Sequence, residues 1–179
     1  MRTGWLGATT TVAKLVIALK FVLPVFYLRY PFAAGWANLI LDSVDGDILV
    51  PGGVPEPIYQ QLDKLADYVA YVFMLIWGWR TPIRTAVVAT FLLRTVGQAL
   101  FFATGNELAL FFFPNLLEPL FLVYVTLVRF RGVAAGAAAY TRHRTVIWAL
   151  ICVYKFQDEW ITHVANVDRT SLVRSLFER

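Results

Sequence analysis

The chain has 179 residues, 59% of them hydrophobic and only 16% charged, with a mean hydropathy of +0.62 and a formal net charge of +4. So little polar surface cannot clothe a water-soluble globule, and the apolar runs reach membrane-spanning length. The modest positive charge is that of loop arginines and implies no nucleic-acid partner, while the single Cys152 excludes an intrachain disulfide framework and a Cys-rich metal site.

An N-terminal stretch with Trp5, Lys14 and Lys20 reads as a short amphipathic segment at the membrane interface, leading into a first span over residues 15–30. Lys20 interrupts the apolar run and no small-residue cleavage site follows it, so no cleaved leader is expected. A second span follows Pro31 and runs to about residue 50, where Pro51, Gly52, Gly53, Pro55 and Pro57 stop any helix. A third covers 57–79, with Pro57 suited to its first turn, and Pro82 opens a fourth that runs to 104. Gly105 and Asn106 form a tight turn before a fifth span over 107–128. A small-residue, Arg-rich connection over 129–144 leads to a sixth over 145–165, and the tail to Arg179 is polar. Backbone groups in hydrocarbon must be paired within their own segment, so these runs are helices. The expected fold is an all-α integral membrane protein: one domain over 1–179, about six transmembrane helices in a single bundle, and a short N-terminal amphipathic segment.

Half of the twelve acidic residues fall between Asp42 and Asp67, in segments otherwise built of Leu, Ile, Val, Ala and Tyr. Asp42 and Asp45 are three apart at the end of the second span; Asp63 and Asp67 are four apart near the start of the third. Each pair therefore shares a helix face, and the short Pro/Gly loop makes the two helices antiparallel neighbours. Four carboxylates brought to one depth cannot all stay ionised without cations. Bound divalent metal resolves this, and all-oxygen ligation suits Mg2+, Mn2+ or Ca2+ rather than Zn2+. Alternatively, such acids are interfacial and solvated, with Asp63 favoured by the helix dipole alone. Gly46, beside the ligands, lets another helix or a substrate approach the backbone.

The pattern resembles the signature of the CDP-alcohol phosphatidyltransferases, D-x2-D-G-x2-A-R-x8-G-x3-D-x3-D, with Asp42, Asp45, Gly46, Asp63 and Asp67 in register. The six-helix layout is similar as well. Three positions depart: Leu49 and Val50 stand where the family has Ala-Arg, and Tyr59 where it has its second glycine. The resemblance implies transfer of a substituted phosphoryl group from a CDP-linked donor to an alcohol acceptor, small or lipid, with release of CMP, in phospholipid or related lipid synthesis. Two Mg2+ or Mn2+ ions would neutralise the pyrophosphate and the leaving CMP. Asp42, Asp45 and Asp63 would be ligands, Asp67 in part a ligand and chiefly the general base, and Gly46 would lie against the nucleotide. A homodimer in a prokaryotic plasma membrane is also implied. Val50 supplies neither charge nor donor for phosphate, and Leu49 and Tyr59 add bulk. Either the donor is unusual, or a non-catalytic metal- or lipid-binding relative remains.

Other polar residues could rebuild the altered half. Arg94 and Gln98 share a face of the fourth span and Glu118 lies inside the fifth; Arg94 with Glu118 reads as a structural ion pair or as a substrate contact. Lys155, Glu159 and His163 share a face of the sixth, near Gln157 and Asp158, as a head-group contact or a wet helix end. His143, between Arg142 and Arg144, reads as solvated. A cation-coupled transporter would use the same acids, but no repeat or broken mid-membrane helix is expected. The loops opposite the motif hold Arg29, Arg80, Arg84, Arg129, Arg131, Arg142 and Arg144, which by the positive-inside rule draw that face to the cytoplasm, whereas the resemblance places the motif there.

Overall fold

The structure, a computed structural model, describes residues 4–106 and 108–163; these form helices and connections, with no strand among them. A short helix α1 (Gly4–Ala8) precedes α2 (Thr11–Val22). Thr10 caps α2, its Oγ1 accepting from the Ala13 N–H at 3.3 Å. Pro24 cannot donate to an α-helical ladder, and the run continues as a 3₁₀ segment, Leu23–Leu28. Pro31 opens α3 (Pro31–Leu49) and Pro57 lies in the first turn of α4 (Glu56–Gly78). Helix α5 (Arg84–Thr104) ends at Gly105, whose φ of 68° is the left-handed conformation that closes a helix.

The fifth expected span is broken. It consists of α6 (Leu108–Phe112) and α7 (Leu117–Arg131), separated at residues 113–116. Pro114 has no N–H to continue the ladder. Arg94 of α5 replaces the missing donors, its Nη1 bonding the carbonyls of Leu110 at 3.2 Å and Phe113 at 3.0 Å. Asn115 Oδ1 then accepts from the Glu118 N–H at 3.3 Å at the start of α7.

Most of the expected 129–144 connection is helical too. After Gly132, at φ 80°, the alanine-rich segment forms α8 (Val133–Arg142) and packs on α7. Gly136 makes that packing close: a Cβ there would lie 2.9 Å from the Val128 nitrogen. Helix α9 (Arg144–His163) follows and packs against α6 and α8.

Inside the bundle, α2 with its 3₁₀ extension packs against both α3 and α4, and α7 does the same from another side. The two aspartate helices thus meet largely through these intermediaries, because the 51–55 loop folds under α2, where the Thr10 N–H bonds the Gly52 carbonyl at 2.8 Å. The core is aromatic: Phe121 of α7 lies 5.1 Å from Tyr27 and 5.2 Å from Trp77 between ring centroids, with Met74 and Leu117 buried beside them. Gly35 permits the α3–α7 approach, since a Cβ there would lie 2.8 Å from Phe121. Outward faces carry apolar stripes at helical spacing: Val12, Leu15, Leu19 and Val22 on α2, Trp36, Ile40 and Val44 on α3, and Val146, Leu150 and Val153 on α9. Among the described residues two segments, Thr11–Leu28 and Arg84–Thr104, are long and apolar enough to cross a membrane.

Candidate metal centre

Helical spacing sets the centre up. Asp42 and Asp45 project from the last turns of α3, Asp63 and Asp67 from the second and third turns of α4. The structure brings Asp42, Asp63 and Asp67 together, one carboxylate oxygen of each lying within 4.8 Å of the others. Three hard, anionic oxygens at that spacing could hold a metal ion. Asp45 lies outside that converging group. Its side chain is only 1% exposed, and both oxygens have protein donors: Tyr59 Oη donates to Oδ1 at 3.0 Å and Lys20 Nζ to Oδ2.

Lys20, read from the sequence as part of an interfacial amphipathic segment, is instead buried in this centre. Its ammonium sits among the carboxylates, donating to Asp42 Oδ1 at 3.0 Å and to Asp63 Oδ1 at 2.5 Å as well as to Asp45, with its side chain 6% exposed. A second ammonium, that of Lys64, bonds Asp63 Oδ2 at 2.6 Å and lies 3.8 Å from Asp67 Oδ2. There was a signal for the first: a lone lysine in an apolar run needs an anionic partner. For Lys64 the signal was its place between Asp63 and Asp67 in the sequence.

The space beside Gly46 is filled. A Cβ on Gly46 would lie 2.9 Å from the Tyr59 hydroxyl and 3.4 Å from Tyr59 Cζ, so the space that Gly46 opens holds the Tyr59 phenol. Leu49 is 1% exposed in a cluster with Ala13 and Val54, against which Trp5, Ile17, Ile58 and Tyr59 pack. Val50 turns outward at 39% exposure.

No family model matches the chain, and no curated protein or solved structure is similar to it.

The other candidates divide. No ion pair joins Arg94 to Glu118 among the described residues, because the Arg94 guanidinium serves the carbonyls at the α6–α7 break. Glu118 Oε2 instead accepts from Asn115 Nδ2 at 3.1 Å, and the same amide donates to Tyr71 Oη at 2.9 Å. Gln98 is buried beside Arg94, with no hydrogen-bond partner for its amide among the described residues. Lys155, 7% exposed, donates to Asp158 Oδ2 at 2.5 Å. The side chains of Glu159 and His163 and the whole tail from 164 lie outside the described residues. Gln157 and His143 are exposed. One further group was not foreseen: Tyr27 is fully buried and its hydroxyl has no hydrogen-bond partner among the described residues.

Proposed function

We propose that the chain is a multi-pass membrane protein, a divergent relative of the CDP-alcohol phosphatidyltransferases, that moves a substituted phosphoryl group from a CDP-linked donor to an alcohol and releases CMP. The observation that carries this reading is the convergence of Asp42, Asp63 and Asp67 from two helices, in the register of that family's motif. A divalent cation held there would neutralise charge on the donor's phosphates and on the departing CMP. Asp67, held close to Lys64, is the candidate general base for the acceptor hydroxyl.

Supporting the membrane setting are the outward stripes on α2, α3 and α9, which in water would form apolar patches without purpose but in lipid are solvated. About six passes remain the reading of the bundle, with α6 and α7 together making one of them. The break between α6 and α7 does not favour a cation carrier: an internal cation, Arg94, takes the carbonyls that an ion would need. The motif end is assigned to the cytoplasmic side of a prokaryotic plasma membrane, and a homodimer accompanies the resemblance.

A second reading, a non-catalytic metal- or lipid-binding relative, is favoured by one observation: the Tyr59 phenol lies over Gly46, where the nucleotide would rest. Purified protein in phospholipid nanodiscs decides between them. Incubated with a CDP-linked lipid and a panel of alcohols, it is expected to release CMP with Mg2+ or Mn2+ and to stop on chelation. Metal binding with no CMP released under any pairing would leave the second reading.

A further inference from the structure

Two cations are what the family pattern implies, yet one cation of the centre is already covalently part of the chain. We propose that Lys20 stands in one of the two cation positions, so that the centre takes a single divalent ion per chain, between Asp42, Asp63 and Asp67. The inference rests on the metal reading above and sharpens it.

Geometry comes first. The Lys20 ammonium has hydrogen-bonding contact with three carboxylates drawn from two helices, Asp42, Asp45 and Asp63. A group with three N–H donors thus occupies the space between these carboxylates. The carbon stem reaches it from α2, which packs against both α3 and α4, and the side chain is 6% exposed, so the ammonium is held by packing as well as by charge. Asp45 has no oxygen left without a donor, since Tyr59 takes Oδ1 and Lys20 takes Oδ2. Its oxygens are not among those that converge within 4.8 Å, so Asp45 anchors the lysine rather than a metal.

With all four carboxylates ionised, charge gives the same count. Four carboxylates, Asp42, Asp45, Asp63 and Asp67, face two ammoniums, Lys20 and Lys64. Two formal negative charges are left over, which one divalent ion balances and two would exceed. Buried ionic clusters are stable only near neutrality, because each uncompensated charge carries a large desolvation penalty. The remaining site keeps the three aspartates whose oxygens already converge within 4.8 Å.

The consequence for the reaction is specific. An ammonium beside the ion offers the donor a fixed point charge in place of a second Lewis acid, so electrostatic support for the phosphates is kept while one exchangeable ion is removed.

The test is the ion count on the full chain in phospholipid nanodiscs, titrated with Mn2+ and followed by the paramagnetic resonance of free Mn2+. Wild type is expected to bind one ion per chain and Lys20→Met two, with the thermal midpoint of Lys20→Met raised by Mn2+ more than that of wild type. Two ions in wild type, or one or none in a folded Lys20→Met, would overturn the proposal. No ion in either protein would instead remove the metal reading beneath it. Should Lys20→Met fail to fold, Asp45→Asn decides: one ion retained, as in wild type, supports the assignment, and lost binding overturns it.

Discussion

At Gly46 a hydrogen stands where any other residue would place a carbon 2.9 Å from the Tyr59 hydroxyl, and under the proposed function that contact lies where the nucleotide would rest. Removing the phenol clears the space, so Tyr59→Gly is expected to tighten CMP binding about tenfold, worth roughly 1.4 kcal/mol, as measured by calorimetry with Mg2+ present. Unchanged affinity would show that Tyr59 does not guard a nucleotide site. Tyr59→Phe separates the two roles of the side chain, keeping the ring over Gly46 while deleting the hydrogen bond to Asp45. At Asp67 the substitution to Asn keeps an oxygen ligand but removes the proposed base. CMP release should fall by about 10²-fold or more while Mn2+ binding is partly retained; full activity would take Asp67 out of the mechanism.

Among the elements, the α7–α8 pair is the best place to test packing. A Cβ on Gly136 would meet the backbone of Leu127 and Val128 at 2.9–3.0 Å, and backbone cannot yield as a side-chain tip can. Gly136→Ala is therefore expected to destabilise the protein by about 1–3 kcal/mol in thermal unfolding. Gly4→Ala, with nothing within 4 Å of the added carbon, serves as the neutral control. Helix α5 offers a second test, because Arg94 supplies the donors that Pro114 removes. Arg94→Met should cost about 1–3 kcal/mol by leaving buried carbonyls without partners, and should loosen the 113–116 break in hydrogen exchange.

For the molecule as a whole, orientation is the property most exposed to refutation. Arginines at the end opposite the aspartates argue for that end in the cytoplasm, and a CDP-linked donor argues for the aspartates there. A reporter fused after Arg179 is expected to read cytoplasmic; an external reading would leave a CDP donor without access to the centre. The bundle itself shows how the local and the distant divide. Helix starts and stops at Pro31, Pro57 and Gly105 were legible because proline and glycine act within a turn of themselves. The breach at Pro114 obeys the same rule and was legible in principle, yet a continuous apolar run over 107–128 masked it. The helix over 133–142 was hidden by arginines at both its ends, which read as a loop.

By itself the sequence determined the helical class, the apolar character and the placing of four aspartates near the facing ends of two helices. Those properties follow from composition, from turn chemistry and from spacings of three and four residues, all of them local. Only the tertiary structure decided what meets the aspartates. Lys20 reaches Asp42, Asp45 and Asp63 across 22, 25 and 43 residues of chain, and Tyr59 reaches Asp45 across 14. No periodicity encodes such pairings, since they depend on α2 packing against both aspartate helices and on the 51–55 loop folding beneath it. The number of cations the centre needs from outside is therefore a property of the packed bundle, set by which charges the fold brings within hydrogen-bonding distance of one another.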